Sequence, residues 1–355
     1  MTAVGDRLER AIEERTDAER EIARGEAETP PKRRLRRTIF WLAVTGVSLY
    51  LVAPSLLDVL GSWSDIDTLA PGWLGAMLLL QAAAFACLWA LQYVALRAPS
   101  WPAVITSQLA GNGLAKIAPG GGALGAALQY RMLVKSGVPG PRAVSGLTAV
   151  NVLTFAVVLA LPVLAVPAII RGGVSRTLVE ATVLGLVVFL ALFAIGSVLI
   201  ALDGPLAWVG RVIQRVRNRV RRHAEPLQRL PERLLRERDR IVGTLGPRWK
   251  RSLAATIGRW MFDYATLLAA LAAVGSTPRP ALVLLAFCAA QVLAQIPVTP
   301  GGLGFVEAGL TAMLTLAGVS AGAAVLATFA YRLVSYWLPL PVGLAAYGWH
   351  ARRYR

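Results

Sequence analysis

Charge is scarce in this chain. Only 16% of its 355 residues are Asp, Glu, Lys or Arg, whereas 56% are apolar. A soluble surface needs roughly a quarter of residues charged, so the composition and a mean hydropathy of +0.57 define a polytopic membrane protein. Histidine and cysteine are scarcer, two of each. His223 and His350 are far apart with no Cys or carboxylate cluster beside them, which excludes a zinc site and a Ser-His-Asp set. Cys87 and Cys288 lie inside apolar runs and are expected to be small packing residues rather than a disulfide. There is no Walker A loop, and no loop carries paired aspartates to hold magnesium for prenyl or sugar-phosphate transfer. The chain is therefore expected not to be an enzyme and to need no cofactor or metal. Its first apolar run starts near Ile39, behind an acid-containing segment, so this run is expected to be a retained anchor rather than a cleaved signal peptide.

What charge there is has the wrong balance for a neutral surface. There are 37 basic and 20 acidic residues, a net charge of +17. Residues 203–251 alone hold 14 basic and 5 acidic ones. Basic charge beside apolar spans is explained by the positive-inside rule, and no aromatic pattern supports a nucleic-acid role. A spanning helix needs about 20 mostly apolar residues. Six runs qualify: 39–60, 72–97, 143–169, 178–202, 252–274 and 321–349. Two further stretches are broken, 101–137 at Pro119-Gly120-Gly121-Gly122 and 281–318 at Pro297 and Pro300-Gly301-Gly302. Proline removes a helix donor and glycine loosens the backbone, so each is expected to be two short helices joined by a turn. Re-entrant hairpins and short complete crossings both fit.

Basic residues fix the orientation. Arg33-Arg34 and Arg36-Arg37 precede the first span, the loop 61–71 has Asp65 and Asp67 but no basic residue, and the chain ends in Arg352-Arg353-Tyr354-Arg355. Both termini are therefore expected in the cytoplasm of a plasma membrane. The expected organisation is a charged cytoplasmic segment 1–38, a first membrane half 39–202, a basic cytoplasmic loop 203–251, a second half 252–350 and a basic tail 351–355. Segment 1–38 has Asp6/Arg10, Arg10/Glu14 and Arg15/Glu19 at helical spacing and is expected to be solvated or a partial helix. The loop 203–251 is expected to lie on anionic headgroups.

A shift of 181 residues superimposes the two broken stretches. Pro119-Gly120-Gly121 falls on Pro300-Gly301-Gly302, and Gly137-Val138 on Gly318-Val319. The spans 72–97 and 143–169 fall on 253–278 and 324–350. Loop charges make span 72–97 run inward and 252–274 outward, so the copies are inverted. The fold expected is all-α, with six full spans and two Pro-Gly-Gly-broken hairpins in an inverted repeat. Inverted repeats with broken helices form transporter sites near the midplane, and irregular backbone at that depth belongs in protein or along a cavity.

Charged residues inside spans are costly and tend to be functional. The candidates are Lys116, Arg131, Arg259, Asp263, Glu307 and Arg332. Glu307 begins a half-helix, where it either caps the helix dipole or faces a cavity. Arg332 is too deep for snorkelling and needs either Glu307 or an anionic ligand group. Arg259 and Asp263, four apart, are expected to neutralise each other. Lys116 and Arg131 flank Pro119-Gly120-Gly121, placed either to reach headgroups or to bind ligand.

The run Gln295-Ile296-Pro297-Val298-Thr299-Pro300-Gly301-Gly302-Leu303-Gly304-Phe305-Val306-Glu307, followed by Gly318-Val319 and Tyr331-Arg332-Leu333, resembles the lysylphosphatidylglycerol synthase transmembrane-region family over residues 40–350. The resemblance implies a flippase-like membrane protein. In bifunctional members, the membrane region is associated with moving aminoacylated phosphatidylglycerol between leaflets, and a separate soluble domain makes the lipid. Pro300, Gly301, Gly302, Gly304, Glu307 and Arg332 match the family's second motif, and Arg131 matches an arginine after the first. The first motif departs from the family, with Gly125-Ala126 where a Gly-Glu pair is usual. No aminoacyl-transfer domain is expected. The function expected is translocation of a charged-headgroup lipid or lipid-linked precursor, with Pro119, Gly120, Gly121, Lys116 and Arg131 completing the site. A partner enzyme would supply the lipid. The alternatives are a polyprenyl-dependent membrane transferase and a non-transporting scaffold.

Overall fold

Proline opens several helices in this chain and glycine closes others. The computed structural model describes residues 71–118, 121–161, 203–220, 229–294 and 300–354, with scattered positions between 163 and 202. All lie in one compact unit, residues 52–355. The segment 1–38, the span expected at 39–60, most of that at 178–202, and Pro119 and Gly120 fall outside the described residues. In chain order the helices are α1 Pro71–Leu96, α2 Trp101–Ile117, α3 Gly121–Lys135, α4 Gly140–Ala160, α5 Asp203–Val220, α6 Leu230–Leu245, α7 Trp249–Ala273, α8 Pro280–Leu293, α9 Phe305–Leu316, α10 Ala321–Arg332 and α11 Pro339–Arg353. The described residues contain no strand. Pro102, Pro141 and Pro280 sit in the first turns of α2, α4 and α8, where a missing N–H has no intrahelical acceptor to lose.

Three helical stretches are long and apolar enough to cross a bilayer, Gly72–Leu96, Gly140–Ala160 and Ala321–Arg353, and two apolar helices are shorter, Pro280–Leu293 and Phe305–Leu316. Helix α7 carries Arg259 and Asp263 in its middle, which lowers its hydropathy below that of the three. Each broken stretch is two helices on either side of its break, α2 and α3 in one case and α8 and α9 in the other.

Backbone geometry recurs at the offset of 181. Helices α3 and α9 end at Lys135 and Leu316, and α4 and α10 begin at Gly140 and Ala321, each pair 181 apart. Between them, Gly137 has φ 92 and Gly318 φ 94. The amide of Val138 donates to Leu133 O at 3.0 Å and that of Val319 to Leu314 O at 3.1 Å. Gly137 N also donates to Val134 O, and Gly318 N to Thr315 O, both at 3.0 Å. This is a Schellman closure made twice, and the left-handed φ it requires is open to glycine at little steric expense.

Packing follows the same correspondence. The pairs α1/α4, α2/α3, α3/α4 and α1/α2 have counterparts in α7/α10, α8/α9, α9/α10 and α7/α8. Helix α2 packs on α11, and α8 reciprocally on α4, while the equivalent helices α1 and α7 pack on each other. The main core holds Trp260, Phe287, Leu310, Leu314 and Tyr331. There Phe287 meets Trp260 and Tyr331 edge-on, with centroids 6.0 and 6.5 Å apart. That core fixes one wall of the charged centre.

Candidate functional site

Arg332 ends α10 and Glu307 lies in the first turn of α9. Their side chains meet in the interior, only 7% and 9% exposed. Arg332 Nε donates to Glu307 Oε1 at 2.7 Å. Nη2 also lies 2.7 Å from Oε1, an ion-pair contact beside the Nε hydrogen bond. Glu307 Oε2 is buried with no hydrogen-bond partner among the described residues. A buried polar atom left unpaired costs about 1–3 kcal/mol, and more when charged, so the pair is incomplete in an acceptor.

Sequence places Lys116 far away, at the end of α2, and tertiary structure brings it to the same spot. Its Nζ donates to the carbonyls of Ser335 at 2.7 Å and Tyr336 at 3.1 Å. In return, Tyr336 Oη donates to Lys116 O at 2.8 Å. The carbonyls are available because Leu333–Trp337 forms a π turn, closed by Leu338 N to Leu333 O at 2.9 Å. Pro339 has no N–H for Ser335 four residues back, and Pro341 none for Tyr336 five back. Such turns mark functional positions in helices. The Tyr336 ring has Lys116 Nζ at 4.9 Å and the Arg332 guanidinium at 4.2 Å from its centroid, so one aromatic face system serves two cations.

The turn Pro300–Gly302 closes over this contact. Gly301 has φ 63, and a Cβ there would run into Tyr336 Oη and lie 2.5 Å from Lys116 O. Gly302 and Gly304 also have left-handed φ, 72 and 78. Three such residues within four positions are what the motif supplies: a turn tight enough to bring its backbone against Lys116 O and Tyr336 just before α9 begins.

A second branch lies on α7. Asp263 is 6% exposed. Its Oδ1 accepts from Tyr331 Oη at 3.1 Å, and Gln291 Nε2 donates to that hydroxyl at 3.1 Å. The expected Arg259–Asp263 pair is present but long, at 4.0 Å, and the Arg259 guanidinium sits 4.0 Å from the Trp260 ring centroid. Arg259 Nη1 is buried without a hydrogen-bond partner among the described residues. Lys116, Arg259, Asp263 and Arg332 lie within electrostatic reach of one another. The centre thus gathers three basic and two acidic side chains, Lys116, Arg259, Arg332, Asp263 and Glu307.

Among the described residues, Arg131 and Gly121 make no contact with these side chains. Arg131 is exposed on α3. Gly121 is buried at the start of α3, where a Cβ would overlap Ala115 O; this is a packing role. Pro119 and Gly120 lie outside the described residues. Sequence reasoning missed Tyr336, Ser335 and Gln291 as site residues. Pro339 is the signal for Ser335, because it strips the helical donor from the carbonyl one turn back.

A helical bundle with broken helices, a π turn and a buried ionic centre defines an integral membrane protein. The family model described as lysylphosphatidylglycerol synthase TM region matches residues 39–343, and the chain belongs to that family. Two curated relatives, each described as a UPF0104 membrane protein of Methanothermobacter thermautotrophicus, are similar in part. One is 29% identical over 91 residues, 26% of this chain and 26% of the relative. The other is 26% identical over 133 residues, 38% and 37% respectively. The chain thus spans well under half the length of the curated relatives it matches.

Proposed function

We propose that this chain translocates a phosphate-bearing lipid, or a lipid-linked precursor, between the leaflets of a plasma membrane, as a transporter and not an enzyme. The observation that carries the reading is the ionic centre. Lys116 of the first half bonds the Ser335 and Tyr336 carbonyls of the second and shares the Tyr336 ring with Arg332, which is bonded to Glu307; Glu307 Oε2 has no partner among the described residues. Arg332 and Arg259 offer donors to a headgroup phosphate, and Glu307 Oε2 offers an acceptor to a headgroup hydroxyl or amine. A ligand carrying both groups completes the site. A partner enzyme is expected to make the lipid.

The recurrence at 181 residues supports two copies of one unit, and reciprocal α2/α11 and α8/α4 packing supports interlocked halves. Inversion, six full spans and cytoplasmic termini complete the reading by the loop charges. Helix α9, with 12 residues, is about 18 Å long, against a hydrocarbon core of about 30 Å. That shortfall favours re-entrant hairpins, which place the turn at depth.

The test is leaflet exchange in proteoliposomes with labelled phosphatidylglycerol, a lysyl-modified analogue and a neutral lipid. Exchange of one charged lipid, lost in Arg332→Ala and in the charge-matched Arg332→Met/Glu307→Leu chain, is expected. Undiminished exchange in both folded variants would overturn the assignment.

A further inference from the structure

Helices α5 and α6 form an antiparallel hairpin. Arg238 of α6 holds Asp203 of α5 at 2.6 Å, Gln214 Oε1 accepts the Leu230 amide at 3.1 Å, and a Cβ on Gly210 would sit 2.9 Å from Pro231 Cα. These contacts fix the side of α5 that faces α6. On the remaining side, helical spacing aligns two rows. Trp208, Val212 and Val216 recur every four residues, and Arg211, Arg215 and Arg219 run alongside, each three residues after its apolar neighbour. Trp208 is 60% and Val216 56% exposed, and all three arginines are exposed. The acid of α5 is Asp203, already paired with Arg238, so this face presents no carboxylate of its own. Helix α6, on the other side, packs on α1 and α4, two of the long apolar spans.

We infer that this outer face of α5 is a docking surface for the anionic leaflet of the protein's own membrane, with the Trp208–Val212–Val216 row entering the interface and the arginine row on lipid phosphates. Three observations select the lipid surface. The rows combine apolar anchors with cations, as interfacial helices do; the charge complements anionic headgroups; and the hairpin rests on helices that cross the bilayer.

The full chain, with Cys87 and Cys288 replaced by Ala and Val216→Cys carrying an environment-sensitive fluorophore, is reconstituted in nanodiscs of phosphatidylcholine alone or with phosphatidylglycerol. The expected result is quenching by shallow spin-labelled lipids and protection from iodide in the anionic discs. The bound-to-free ratio should fall about fivefold for each arginine changed to Gln, from the roughly 1 kcal/mol per basic residue at such a surface, and return with Lys. These positions are exposed, so folding is expected to persist, checked by gel filtration. A label equally open to iodide in both discs would overturn the inference. So would protection independent of lipid charge, or protection seen only after adding an acidic peptide or RNA.

Discussion

Replacing Arg332 by Met would leave the Glu307 carboxylate, 9% exposed, with neither oxygen bonded, because Oε1 accepts from Arg332 Nε and Oε2 has no partner among the described residues. Removing one member of a buried ion pair costs about 3–5 kcal/mol, because the other charge stays buried and uncompensated. Two to nearly four orders of magnitude in the unfolding constant follow, at about 1.4 kcal/mol per tenfold. Substituting both members with apolar residues is often neutral, so Arg332→Met/Glu307→Leu is expected within about 1 kcal/mol of the parent. Ten tryptophans report the transition by fluorescence in mixed micelles with increasing dodecyl sulfate. The two chains should separate clearly in stability while both lose lipid exchange. A single variant destabilised by less than about 1 kcal/mol, or a double variant no better than the single, would refute the buried-pair argument. A double variant that still exchanges lipid would refute its role in transport.

Three further outcomes follow from the same geometry. Tyr336→Phe keeps the ring between Lys116 and Arg332 but deletes the hydroxyl bonded to Lys116 O at 2.8 Å; a loss of about 1 kcal/mol is expected in the same unfolding assay, with Tyr336→Leu losing more because both cation–π contacts go. Gly301→Ala forces a side chain into a left-handed position against Tyr336 and Lys116 and should destabilise by more than about 1 kcal/mol, whereas Gly322→Ala, which meets nothing within 4 Å, should be neutral or stabilising; equal effects would undo the close-approach argument. Pro339→Ala restores an N–H four residues after Ser335, so its carbonyl gains a helical partner and competes with Lys116. Unfolding resistance should hold or rise while exchange slows, and an unchanged exchange rate would remove the π turn from the mechanism.

Local chemistry explains what could be read along the chain. Breaks between helices follow from proline and glycine, whose conformational effects act at the residue itself, so α2/α3 and α8/α9 were expected where they occur. The offset of 181 was visible for the same reason: Gly137 and Gly318 are demanded by the same left-handed helix closure. Arg332 was expected to need either Glu307 or an anionic ligand group, because an arginine that deep in an apolar run must be paired, and Glu307 is the partner found. Arg131 was expected either to reach headgroups or to bind ligand, and it is exposed on α3.

Composition and periodicity by themselves determined that this is a membrane-embedded helical protein, where its helices break, and which of its charges lie within apolar runs. Tertiary structure alone decided which charges meet. Lys116 reaches Ser335 and Tyr336 across 219 and 220 residues, and Asp263 turns from Arg259 toward Tyr331. The physical reason is that hydropathy and backbone preference act over a few residues, whereas pairing a buried charge depends on which helices pack together. Only once they are packed does the unfilled acceptor of Glu307 exist to be counted.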